Sequence, residues 1–107
     1  MNQNVAMTTA RGQREVVDAF LRAVDEYNRV GLFNNAVAVC KKVLRVLPAR
    51  HEVLVKLGYI RSRQGLGKEA ESYYVQFLEK AADGVFTGDA FQRIAKPMVD
   101  DLGDSPV

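Results

Sequence analysis

Apolar residues recur at spacings of three and four along most of the chain. Val16, Val17, Phe20, Leu21, Val24 and Tyr27 make one such series, and Val43, Leu44 and Leu47 belong to a second. A third runs through Val53, Leu54, Leu57 and Ile60, and a fourth through Ala70, Tyr73, Tyr74, Phe77, Leu78 and Ala81. These spacings return to the same side of an α-helix at each turn, so each series predicts an amphipathic helix with one apolar face. The breaks fall around Gly31 to Phe33, Leu47 to Arg50 and Gly65 to Gly67. Connections this short make sequential helices antiparallel neighbours. The expected fold class is therefore all-α, built as stacked helical hairpins. After Asp83-Gly84, the residues Phe91, Ile94, Ala95 and Met98 predict a fifth helix, starting from Thr87 or Asp89 and covering about residues 88–102. Pro97 lies inside it. Proline has no amide hydrogen and crowds the preceding turn, which predicts a kink or an end near Lys96.

The four central helices are organised by an internal repeat. Placing residues 17–50 over residues 51–84 matches Arg29 with Arg63, Gly31 with Gly65, Leu32 with Leu66, Ala36 with Ala70, and Leu44 with Leu78. Chance gives about two matches at ordinary residue usage. Four of the five form a shared pattern, R-x-G-L-x-x-x-A, placed where one helix must stop and the next begin. Glycine supplies the left-handed backbone conformation that commonly ends a helix, so Gly31 and Gly65 each close a first helix. Ala36 and Ala70 sit five residues later, where a small side chain lets two helices approach. Pro48 ends the first unit, and Glu52 in the first turn of the next helix suits the helix dipole.

These residues resemble the tetratricopeptide repeat, whose 34-residue pattern is W-x-x-L-G-x-x-Y, then A-x-x-x-F, then P. The first unit matches through Phe20 at the tryptophan position, Tyr27, Ala36, Cys40 at the phenylalanine position, and Pro48. It departs at Ala23-Val24, where the family has Leu-Gly. The second unit matches through Leu54 at the tryptophan position, Leu57-Gly58, Ala70 and Tyr74. It departs at Arg61 and Ala82. The resemblance covers residues 17–84 and implies a right-handed solenoid, with the fifth helix capping the face that the second hairpin would otherwise expose. One domain over residues 9–102 follows, beginning near Thr8 or Thr9, with residues 1–8 and 103–107 unstructured.

Charge adds a second layer of order. The net charge is +2, but counting by segment gives about −1 for residues 1–28, +8 for 29–68 and −5 for 69–107. A basic middle band calls for an acidic partner surface, or for the acidic end of a second copy. The chain has 107 residues, a length that suits one core. No apolar run approaches the roughly 20 residues of a membrane span, and the start lacks a signal-peptide pattern, so a cytoplasmic location is expected. A single cysteine, Cys40, excludes an internal disulfide and a zinc site built from several thiolates.

Catalytic and cofactor chemistry finds no support in the residue pattern. His51 is the only histidine and has no recognisable partner, so it is read as an exposed residue in the first turn of the third helix. Cys40 is read as a small apolar residue on the packed side of the second helix. Glu69 and Glu71, two apart on a helix, do not face each other. Gly65-Leu66-Gly67 lacks the third glycine and preceding strand of a nucleotide-binding fingerprint. No cofactor and no metal are expected.

What remains is binding. In the tetratricopeptide family, first helices of successive units line a concave groove, and the matching positions here are Arg22, Asp25, Asn28, Arg29, Val55, Lys56, Tyr59, Ser62 and Arg63. The resemblance implies a module that holds a partner protein or an acidic peptide there, by charge pairing around an apolar anchor. The family's carboxylate-clamp sites carry Leu21, Asp25 and Lys56 here, which disfavours that specialised function. Two other readings use the charge instead: nucleic-acid binding through the basic band, disfavoured because Tyr59 is its main aromatic for base stacking, and self-association, within a homo-oligomer or a longer repeat array.

Overall fold

The turns reveal why the chain divides where it does. In the computed structural model, which describes residues 3–84 and 88–104, Gly31 and Gly65 adopt φ of 83° and 78°. The amide of Leu32 donates to the Tyr27 carbonyl at 2.8 Å and that of Gly31 to the Asn28 carbonyl at 3.2 Å. Thirty-four residues on, Leu66 donates to Arg61 at 2.8 Å and Gly65 to Ser62 at 2.9 Å. Both are Schellman motifs, in which a left-handed glycine satisfies the last carbonyls of a helix. The residue that restarts the chain is also equivalent, with Leu32 at φ −87°, ψ 66° and Leu66 at φ −98°, ψ 71°. The shared R-x-G-L pattern thus corresponds to one turn built twice.

Five helices result, α1 (Gln3–Arg29), α2 (Phe33–Val46), α3 (Glu52–Arg63), α4 (Gly67–Ala82) and α5 (Gly88–Asp104), with no strand among the described residues. Helix α1 packs on α2, α3 on α4, α2 on α3, and α5 on α3. No described helix is long and apolar enough to cross a membrane.

Two apolar clusters hold this arrangement. Val17, Leu21 and Val24 of α1 meet Ala36, Val37, Cys40 and Val43 of α2 and Val53, Leu57 and Ile60 of α3. A second cluster joins Leu54 and Val55 of α3 to Ala70, Tyr74 and Phe77 of α4 and to Ala95 and Met98 of α5. Helix α3 therefore contributes to both clusters from different sides, which is why its sequence is apolar around most of its circumference. Ala36 and Ala70 are both buried. At Gly58 an added Cβ would fall well inside van der Waals distance of the Tyr74 ring, so α3 and α4 approach as closely as they do because position 58 has no side chain.

Several boundaries differ from expectation. Helix α1 begins at Gln3 rather than near Thr8 or Thr9, so residues 3–8 are helical instead of unstructured. Residues 3–10 contain Ala6, Met7 and Ala10 and no proline or glycine, and Thr8 and Thr9 cost only about a few tenths of a kcal/mol each. Residues 1–2, Thr87 and 105–107 lie outside the described residues. Helix α5 passes through Pro97 and ends at Asp104, so neither the end near Lys96 nor an unstructured Gly103 is observed. Ala95 and Met98, buried on either side of the proline, and Asp101, hydrogen-bonded beyond it, hold both halves against α3 and α4. Leu44 packs against both clusters, whereas its repeat equivalent Leu78 is 44% exposed.

Candidate functional site

Three helices enclose a groove of about 790 Å³. Helix α1 contributes Asp25, Asn28 and Arg29, and α3 contributes Lys56, Tyr59 and Arg63. Residues four apart lie on one face of a helix, so the spacings 25 to 29 and 59 to 63 place these side chains in rows along the groove. Helix α5 closes it with Arg93, Lys96, Pro97, Asp100 and Asp101.

Six of the nine positions expected from the sequence thus share one surface, and three do not. Val55 is 1% exposed and belongs to the second cluster with Ala95 and Met98. Its place is taken up by the packing of α5. The Ser62 hydroxyl donates to Asp101 Oδ1 at 2.8 Å instead of lining the groove. Arg22 is exposed and lies one turn before the level at which the lining begins. The α5 contribution is absent from the sequence reading because no third repeat is visible at the 34-residue offset. Its signal was nonetheless available, since Arg93, Lys96 and Asp100 recur at three and four on the side of α5 away from Phe91, Ile94, Ala95 and Met98.

Ion pairs organise the groove internally. Lys56 Nζ reaches Asp25 Oδ1 at 2.7 Å, tying α3 to α1. Lys96 pairs with Asp100 at 3.0 Å. Arg29 grips Glu26 with two bonds of 2.5 and 3.0 Å, and the hydrogen bond from Arg29 holds the Glu26 carboxyl below its ordinary pKa. The Arg63 guanidinium sits 6.0 Å from the centroid of the Tyr59 ring, within range of a cation–π contact. The Asn28 side-chain oxygen is buried without a hydrogen-bond partner among the described residues. Behind the groove, the Tyr74 hydroxyl donates to Asp101 Oδ2 at 2.6 Å. Burial first, and then this bond to a carboxylate, raise the Tyr74 pKa.

The basic band does not form one surface. Lys41, Lys42 and Arg45 are exposed on α2, which contributes nothing to the groove lining, and Lys42 lies 5.6 Å from the centroid of the Phe20 ring. Arg50 joins Asp18 at 2.8 Å and also pairs with Glu52, fastening the α2–α3 connection to α1. His51 is half-buried at the N-cap of α3 rather than exposed. Among the described residues no group of histidine, cysteine and carboxylate side chains could hold a metal ion.

Cys40 is fully buried, and burial pushes its thiol up to about 12 from the ordinary 9.0. The thiolate is the reactive form, so Cys40 is expected to react with a chromogenic disulfide at pH 8 only after unfolding in guanidinium. Full reactivity of the native protein would contradict its position. Because the folded pKa is raised, the unfolded chain loses this proton first. The corresponding stability is complete below pH 9 and is lost as pH rises toward about 12.

Comparison with protein-family models, curated proteins and solved structures gives no match.

Proposed function

We propose that this chain is a tetratricopeptide-type interaction module that holds a segment of a partner protein in the groove between α1, α3 and α5, rather than an enzyme. The observation that carries the reading is the convergence on one groove of Asp25, Asn28, Arg29, Lys56, Tyr59 and Arg63, six of the nine positions that the resemblance implies. The doubled Schellman turn and the buried Ala36 and Ala70 support the same register. The character of the lining argues for a polypeptide ligand. Small-molecule sites are lined mainly by apolar side chains with few polar groups, whereas here Tyr59 and Pro97 are the only lining residues without a charge or a side-chain amide. A peptide with acidic side chains around one apolar anchor matches such a surface.

The test is a titration of a labelled peptide that alternates glutamate with leucine and alanine, followed by fluorescence anisotropy. Tyr59→Ala combined with Lys56→Glu removes the aromatic anchor and reverses a charge beside it. Affinity is expected to fall at least 10-fold, corresponding to about 1.4 kcal/mol. Unchanged affinity would remove the groove from the account.

A further inference from the structure

The groove contains five cationic side chains, but three already have a counter-charge in place. Arg29 is engaged by Glu26, Lys56 by Asp25 and Lys96 by Asp100. Asp101, the remaining carboxylate of the lining, has one oxygen bonded to the Ser62 hydroxyl and the other to the Tyr74 hydroxyl. Neither Arg63 nor Arg93 has an ion-pair partner among the described residues. Both are exposed, and they come from α3 and α5, which pack together. Arg63 also lies over the Tyr59 ring, which restrains its guanidinium beside the groove's one aromatic face. A guanidinium is always charged and presents a planar fork of donors that fits a carboxylate or a phosphoryl group with two parallel hydrogen bonds.

We infer that Arg63 and Arg93, beside Tyr59, form the subsite of this groove that recognises an oxyanion on the bound peptide, either an acidic side chain or a phosphorylated one. The inference rests on the peptide-binding reading above and narrows it. The attraction for acidic ligands lies in these two arginines and not in the basic band at large. Lys41, Lys42 and Arg45 on α2 contribute only a diffuse field, weakened within a Debye length of about 10 Å at 0.1 M salt.

The experiment uses the full chain and four labelled probes at 50 mM and 500 mM salt. Three are the glutamate peptide described above, the same peptide with glutamine for glutamate, and one with phosphoserine at a central position. The fourth is a single-stranded RNA of equal length. Wild type is expected to prefer the glutamate or phosphoserine peptide over the glutamine peptide, and less so at high salt. The stronger of the two identifies the source of the oxyanion. Arg63→Gln and Arg93→Gln should each lower that preference about 5-fold, as loss of a charge-assisted hydrogen bond at an exposed site would. Arg63→Lys should fall between, because it keeps the charge but loses the fork. Lys41→Gln on α2 should leave the preference unchanged. If the arginine variants bind the acidic peptides as wild type does, the subsite is overturned, while loss of binding in the Tyr59 and Lys56 double variant would leave the groove reading standing. If none of the peptides binds and the RNA does, both readings fall in favour of nucleic acid.

Discussion

Replacing Gly58 by leucine is expected to lower stability by about 2 to 3 kcal/mol, toward the upper part of the range for overpacking a core. For a domain of this size that corresponds to a fall of about 10 to 15 °C in melting temperature. A side chain at 58 meets the Tyr74 ring immediately, and the ring has little freedom to retreat. It is 4% exposed and tethered through its hydroxyl to Asp101 at 2.6 Å. The outcome sets two effects against each other. Glycine inside a helix costs roughly 1 kcal/mol relative to alanine, so any substitution gains helix propensity. The clash must exceed that gain for the protein to be destabilised, and with a near-rigid neighbour it does. Gly58→Ala should therefore show a smaller loss of the same sign. Adding Tyr74→Ala to Gly58→Leu should cost less than the two changes separately, because the cavity left by the ring accommodates the leucine. An unchanged melting curve for Gly58→Leu would mean that α3 and α4 do not meet at this point.

The burial of Ala36 and Ala70 was readable in advance because the rule behind it is local. A small residue at a fixed register predicts a close approach whatever lies opposite, and Gly31 and Gly65 mark helix ends through their own backbone preference. The same holds for Phe91, Ile94, Ala95 and Met98, whose spacing alone places them on one apolar face. Side chains whose surroundings are set by a non-repeating element were not readable. Val55 occupies a position that faces outward in the repeat register, yet it is buried, because α5 covers it. Ser62 likewise faces Asp101, a residue 39 positions later. Pro97 misled for a related reason: the cost of proline in a helix is intrinsic, but the contacts that offset it belong to α3 and α4.

Asp101 is the clearest case of information held only in the folded state, and it carries the second large expected effect. In the sequence it is one of several acidic residues near the C-terminus, where a solvated helix surface is the ordinary use of such a side chain. In the structure each of its oxygens accepts a hydroxyl hydrogen bond, from Ser62 of α3 and Tyr74 of α4, so one carboxylate on α5 joins three helices. Tyr74 stands where the repeat pattern has phenylalanine. Its extra hydroxyl is buried with the ring and needs a partner, since a buried polar group left unsatisfied costs about 1 to 3 kcal/mol.

Asp101→Ala removes that partner and the Ser62 contact together, and is expected to cost about 2 to 3 kcal/mol, measured by urea unfolding. Tyr74→Phe deletes the donor along with the need for it and leaves the Ser62 bond, so it should cost about 1 kcal/mol or less. In the Tyr74→Phe background, Asp101→Ala should then become milder, which is the signature of a shared hydrogen bond. The loss should also be local. Amide exchange should quicken along α5, whose attachment to the rest depends on Ala95, Met98 and this carboxylate, while the first apolar cluster between α1, α2 and α3 keeps its protection. Because Arg93 and Lys96 reach the groove only when α5 is seated, the acidic-peptide preference should weaken in Asp101→Ala without any change to a groove cation. If Asp101→Ala unfolds at the same urea concentration as wild type, the carboxylate does not hold α5, and the placement of Arg93 in the groove loses its main polar support.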